Sequence, residues 1–456
     1  MEVPKQSGIT RPGSILVPLD RLVYQVLIDL MAPIVDKEFD RTRVSSNILL
    51  STDPGFQMFV PAHEGWEHMQ ATVTNLCRDP QYTYAIKADV SNFFERLYQH
   101  NLINLLHGSN CPASAVNLLE KLLLAWMEKN SHGIVQGIYP SDFFGNFYLV
   151  SFDSDAAVRE IPSARYVDDI YMFFKDRESA RKGLMELTRT LRHEGLSLNE
   201  KKTKVVETAD LLTEETELDK LFRDAREEIE DQSTSFYSGY GFQTLWLPEE
   251  PPADEDELEL KAVEALYSSI NQSNPLIADK IEKFCLPHLA IAKSDIAVSR
   301  SFEGLVERPY LSKSYVSYLA TIAELDANIA LSLEKLIQTD NLPYDWQLMW
   351  VIGAIIRQPS AGEQTINSLL RILREVGRSP ALRGIAAIAI GRLGHPAHRR
   401  NLKHHYSDEP SDYVRGAILF AVRYFPTPER RTALAAWAGH SRTNILIAEA
   451  VKRIAP

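Results

Sequence analysis

Asp89 closes a β-prone run, YTYAIKADV (82–90), and Asp168-Asp169 lie inside another, RYVDDIYMFF (165–174). Adjacent carboxylates among β-branched and aromatic residues repel each other and lose hydration, a cost that a bound cation removes. Their hard oxygens suit Mg²⁺, with Mn²⁺ as a substitute, and a tight turn between strands is a stiff mount for them. Two such ions about 4 Å apart activate an attacking hydroxyl and clamp a triphosphate. A lone Asp-Asp pair also occurs on surface turns, so this one takes its meaning from its surroundings.

The elements that must hold these acids are readable. Residues 82–90 alternate as a strand ending at Asp89, and 165–174 read as two short strands meeting at a turn around the aspartates. Helical spacing covers 20–35, stopped near Pro33, then 111–130 with Pro112 at its start, and 141–160. An amphipathic helix over 176–195 ends at Gly195. Strand and helix thus alternate, with carboxylates at the ends of two apolar β segments.

The chain has 456 residues, 45% hydrophobic and 24% charged, enough for two or three domains with real cores. This excludes a wholly disordered tail, a collagen-like fibre and a small disulfide scaffold. Cys77, Cys111 and Cys285 are scattered, which predicts free thiols in a reducing compartment. No apolar run approaches the roughly 18 residues of a membrane span, and MEVPKQSGITRPG lacks a signal peptide's apolar stretch. A soluble, cytoplasmic protein with no membrane partner is expected.

The net charge of −12 is unevenly spread. Residues 205–260 hold 3 Lys/Arg against 18 Asp/Glu, whereas 371–456 hold 15 against 6. The acidic stretch, ending in LPEEPPADEDE (247–257), reads as a solvated linker over 211–260. From 261 to 456 nearly everything is helical. LRGIAAIAIGRLGHPAHRR (382–400) and VRGAILFAVRYFPTPERR (414–431) align at a spacing of 32, pairing Arg383 with Arg415, Gly384 with Gly416 and Ala389 with Ala421. This resembles HEAT-like α-repeats, in which each unit covers the face its neighbour leaves open; two amphipathic hairpins in an ordinary bundle would share the pattern. The basic tail, with Arg392, Arg399, Arg400, Arg423, Arg430 and Arg431 besides the paired arginines, fits a phosphate backbone, a solvated rim or a subunit contact. His395 and His398 in GHPAH have no cysteine nearby and read as part of a repeat turn, not a zinc site.

The order ADVSNFF, GIVQGIYPSDFFGNFYL, YVDD, GLSLNEKKTKV resembles motifs A, B, C and D of reverse transcriptases, over roughly residues 80–206. VPLDRLVYQVLIDLMAP (17–33) is similar to the fingers segment of bacterial members. The resemblance implies an α+β fingers–palm polymerase of the right-hand fold, with an antiparallel palm sheet, over 1–210, followed by the all-α repeat domain. It implies an RNA-directed DNA polymerase joining dNTPs, with nucleic acid as its partner. Asp89 matches the motif A metal ligand, Asp168 and Asp169 the motif C pair, and Lys202 the motif D lysine that protonates the leaving pyrophosphate; Lys201 and Lys204 are close alternatives. Phe94 matches the bulky residue that excludes a ribose 2′-hydroxyl. Gln136 and Gly137 match the motif B pair lining nucleotide and template, although Val135 stands where the family has proline. Ser141, in the same motif, contacts the nucleotide or caps the next helix. Arg43, with Arg11, Arg21 and Arg41, supplies candidates for holding the triphosphate.

The compact fingers and the helical tail after an acidic spacer resemble the abortive-infection and unknown-group bacterial reverse transcriptases (AbiA/AbiK-like) of phage defence. That implies DNA made either untemplated on a protein hydroxyl or from a small non-coding RNA, by a homo-oligomer. An RNA-synthesising polymerase and a catalytically silent scaffold whose tail binds partners are the rivals.

Overall fold

Residues 21–212 and residues 1–20 with 257–454 form two separate units. The structure, a computed structural model, describes residues 1–50, 58–212, 257–268, 270, 275–339 and 341–454. The predicted acidic linker therefore lies outside the described residues over 213–256, and its last residues, from Glu257, already begin a helix, Glu257–Ser268.

The chain opens with β1 (Glu2–Pro4) and β2 (Thr10–Pro12), an antiparallel hairpin, then α1 (Pro18–Val35) and α2 (Ala62–Arg78). β3 (Tyr84–Asp89) is followed by α3 (Phe93–Arg96), α4 (Gln99–Gly108), α5 (Ala113–Trp126), α6 (Tyr139–Tyr148) and α7 (Val150–Val158). The hairpin β4 (Ser163–Tyr166) and β5 (Asp169–Phe174) leads through α8 (Arg177–His193) to β6 (Lys204–Glu207). The sheet runs β4-β5-β3-β6, every pair antiparallel.

Alternation explains how it is covered. Ala85, Tyr171 and Phe173 pack with Met69, Val73 and Cys77 of α2 on one face. Phe174, on the other face, meets Gly183 of α8, where an added Cβ would lie 2.3 Å from its ring. Two predicted boundaries move. The helix over 20–35 passes Pro33 and ends at Val35, because Met31, Ala32 and Val35 are buried and reward one more turn. The helix predicted over 141–160 is two, α6 and α7, broken at Leu149.

The second unit is all helix after its hairpin, from Glu257–Ser268 to Arg442–Arg453. Helix Pro380–Leu393 packs on Asp412–Ala421, and that on Arg442–Arg453. Gly391 permits the first approach: a Cβ there would sit 2.9 Å from the Ala421 carbonyl oxygen. Residues 1–20, expected within the 1–210 domain, cluster with the helices. Val3 is buried, and Gln6 Nε2 donates to Asp279 Oδ2 at 2.9 Å, which also accepts from Tyr310 at 2.7 Å. Beside them the fully buried Glu282 is paired with Arg300 and Arg308, so the polar cluster is neutralised where it is enclosed.

Cys77, Cys111 and Cys285 are buried free thiols. Among the described residues no helix is long and apolar enough to cross a membrane.

Candidate active site

Strand pairing alone brings two of the acids together. Asp89, the last residue of β3, is the cross-strand partner of Asp169, the first of β5. Directly opposed residues have Cβ atoms about 4.5–5.5 Å apart. Asp168 precedes them in a two-residue turn, Val167-Asp168, that closes the β4–β5 hairpin on the pair Tyr166–Asp169. Val167 has φ +53°, a left-handed conformation that costs a β-branched side chain energy and persists only where its surroundings impose it.

A buried network imposes it. The fully buried Arg165 donates from Nη1 to the Val167 carbonyl at 2.9 Å, while the Val167 N–H donates to Ser46 Oγ at 3.1 Å. Both backbone groups of the strained residue are therefore tied. Arg165 is neutralised by the buried Asp153, with Nε to Oδ1 at 2.9 Å and an ion pair from Nη2. It also donates to Asn146 Oδ1 at 2.5 Å, and Asn146 Nδ2 reaches the Ser46 carbonyl at 3.1 Å. The sequence reading missed this set. Its partners come from α6, α7, β4 and the loop at 46, so no local motif contains them.

Lys202 completes the cluster, its Nζ donating to Asp89 Oδ1 at 2.6 Å. Asn199, also missed, donates from Nδ2 to Asp89 Oδ2 at 3.1 Å and from its N–H to the Asp89 carbonyl at 2.8 Å. Its place three residues before Lys202 was the available signal. Burial, then the charges of Asp169 and Asp89, push the Asp168 carboxyl up to about 7. Burial and Asp89 raise Asp169 as well, with Lys202 and Lys87 opposing. Burial works against the charge on Lys202, but its bond to Asp89 and the fields of all three aspartates outweigh it and raise its pKa. A fourth acid, Asp142, is pushed up to about 7 by burial and by Asp168.

The chemistry of this donor set fits divalent cations. Three carboxylates stand at one end of the sheet, the charges of Asp169 and Asp89 disfavouring ionisation of Asp168 and that of Asp89 disfavouring ionisation of Asp169, and a lysine supplies the nearest compensating charge. Among the described residues no group of three or more His, Cys, Asp or Glu side chains is placed, as it stands, to hold a metal ion.

The remaining predicted residues divide. Phe94 is half-buried against Gly145 of α6, where an added Cβ would come within 2.7 Å of its ring. Gln136 and Gly137 lie partly buried between α5 and α6, Gly137 with φ +83°. Ser141 is neither a cap nor open to a ligand: it lies within α6, fully buried, its hydroxyl 2.9 Å from that of Tyr24 in α1. Arg43 is also not placed as a triphosphate ligand. Its guanidinium is held by Asp40 Oδ2 at 3.0 Å, the Ile161 carbonyl at 2.6 Å and Ser163 Oγ at 2.8 Å. Arg41 is likewise committed, to Asp36 and to the Ser46 and Asn47 carbonyls.

An antiparallel sheet with acids at the junction of its two central strands, covered by helices, is a polymerase palm. The chain belongs to the reverse transcriptase (RNA-dependent DNA polymerase) family, whose model matches residues 3–240. Solved structures similar to it include telomerase from Candida tropicalis with the TWJ fragment of telomeric RNA, at 12% identity and TM-score 0.32 over 80% of this chain and 56% of that one. The apo telomerase from Candida tropicalis matches at 12% identity and TM-score 0.32 over 94% and 61%. Telomerase from Candida albicans with the TWJ fragment of telomeric RNA matches at 12% identity and TM-score 0.28 over 70% and 54%. The chain thus spans 54–61% of the length of these structures. A search of curated proteins finds no match.

Proposed function

We propose that this chain extends DNA by nucleotidyl transfer at the Asp89–Asp168–Asp169 cluster, in bacterial anti-phage defence of the abortive-infection kind. The observation that carries the chemical part is the cross-strand pairing of Asp89 with Asp169 beside a turn whose geometry is fixed by partly buried hydrogen bonds. Asp89, Asp168 and Asp169 would hold Mg²⁺ or Mn²⁺, which supplies charge neutralisation at the triphosphate and a lowered pKa for the attacking hydroxyl. The hydroxyl gives up its proton to water as its oxygen attacks the α-phosphorus of a dNTP, and the bond from that phosphorus to the bridging α,β-oxygen breaks, releasing pyrophosphate. Lys202, a cation at the edge of the cluster, donates a proton to that leaving group. Asn199 fixes the orientation of Asp89. Phe94, backed by Gly145, bars a 2′-hydroxyl, while Gln136 and Gly137 line the nucleotide.

The defence role is supported by architecture: a polymerase palm, an acidic stretch and an all-helical tail whose equivalent glycines admit successive helices, as in HEAT-like repeats. The product is made either untemplated on a protein hydroxyl or from a bound non-coding RNA, by a cytoplasmic homo-oligomer. The test is incorporation of labelled dNTPs by the purified full chain with Mg²⁺, beside Asp168→Ala. Wild-type synthesis and a loss of at least about 10³-fold in the variant are expected. Absence of synthesis by the wild type, or phage protection that survives Asp168→Ala, would instead favour the silent scaffold. Sequencing the co-purified nucleic acid separates a covalent DNA adduct from a discrete RNA template.

A further inference from the structure

Two of the basic tail's eight arginines have carboxylate partners. Arg383 is buried against Glu409, and Arg415 is tied to Asp412 and the Glu409 carbonyl. The other six lie at two neighbouring turns. Arg392, Arg399 and Arg400 are followed 31 residues later by Arg423, Arg430 and Arg431. One device places them twice. Arg399 Nε donates to the Gly391 carbonyl at 3.2 Å, and Arg430 Nη1 donates to the Arg423 carbonyl at 3.4 Å, each time capping the end of the preceding helix.

The turns are contiguous, because Arg399 and Lys403 lie over Phe425 at 5.9 and 5.6 Å. The Arg423 guanidinium sits over Phe420 at 4.9 Å and Tyr424 at 4.6 Å. Residues 391–404 and 420–431 contain seven Lys/Arg and one acid, Glu429, which is paired with Lys403. Arg392, Arg400 and Arg431 lack any carboxylate among the described residues. So many cations on one edge repel each other unless an external anion runs along it.

We propose that this edge, formed by residues 391–404 and 420–431, binds the sugar–phosphate backbone of single-stranded nucleic acid. Guanidinium forks match phosphate oxygens, and the half-exposed Tyr424 offers a ring face for a base, the mixture that single-strand surfaces use. The proposal leans on the polymerase reading only for the source of the strand, and its test needs no nucleotide incorporation.

The test is fluorescence anisotropy of the full-length protein with labelled oligo-dT and oligo-rU, titrated with NaCl. The variant Arg392→Gln/Arg400→Gln/Arg431→Gln removes only side chains without a hydrogen bond among the described residues, and a thermal melt checks that it folds. Each lost contact flattens the slope of log K against log salt by about 0.7, so the variant is expected to be about 2 less steep and about tenfold weaker. A control with the same charge change elsewhere in the unit, Lys280→Gln/Lys283→Gln/Lys293→Gln, should match the wild type. Coincident slopes for wild type and strip variant, or equal loss in the control, would overturn the proposal. So would unaltered oligonucleotide binding together with strip-dependent binding of a peptide of residues 247–257, which would make the edge a protein-docking surface. Stronger binding of oligo-dT or of oligo-rU would assign the strand to product or to template.

Discussion

At the scale of residues, the site is an electrostatic conflict held in place. Asp168 and Asp142 both titrate near 7, raised by burial. A carboxyl whose folded pKa lies above its unfolded value of about 3.9 favours the folded state while protonated. That contribution is complete below the unfolded pKa and is lost as pH rises through about 7. In chelator at pH 8, Asp168→Asn should therefore melt several degrees above the wild type, and the gap should close near pH 4. Added Mg²⁺ should raise the midpoint of the wild type and leave that of the variant unmoved; differential scanning fluorimetry reads both. Phe94→Ala should raise incorporation of rNTP relative to dNTP by at least about tenfold in a competition assay. The convergence of Asp89, Asp168, Asp169 and Lys202 was legible because each sits in a short local pattern. The settings of Ser141 and Arg43 were not, because their partners, Tyr24 and Ile161 with Ser163, are more than a hundred positions away.

At the scale of elements, the β4–β5 hairpin is the part under strain. Arg165→Met removes the cation that neutralises Asp153 and the donor to Val167, so it should destabilise by about 3–5 kcal/mol in urea unfolding. Val167→Gly relaxes the left-handed residue and should keep stability within about 1 kcal/mol of wild type, while lowering kcat through a less rigid turn. Equal kcat would show that the rigidity of this turn does not matter. The strands and the hairpin were readable from alternation and from carboxylates at their ends. The break between α6 and α7 was not, since the segment carries no Gly or Pro at Leu149 and only packing decides it.

At the scale of the whole molecule, the sequence separated an α+β half from a basic helical half by composition and period. It placed the first twenty residues with the α+β half, although only residues 17–33 carry the fingers resemblance. The bond from Gln6 to Asp279, 273 positions away, and the burial of Val3 follow from no local pattern. A homo-oligomer is expected by light scattering; a mass near 51.6 kDa at working concentration would refute it.

The pairing of Gln6 with Asp279 also sets an order of events during translation. The two residues are 273 positions apart, so at about 5–20 residues per second the hairpin leaves the ribosome tens of seconds before its partner. Residues 21–212 can complete their sheet in that interval, whereas the amino-terminal strands must wait. A ribosome stalled between the two halves would therefore carry a finished palm and an undocked β-hairpin, whose outer edges are open to chaperones or to another nascent chain.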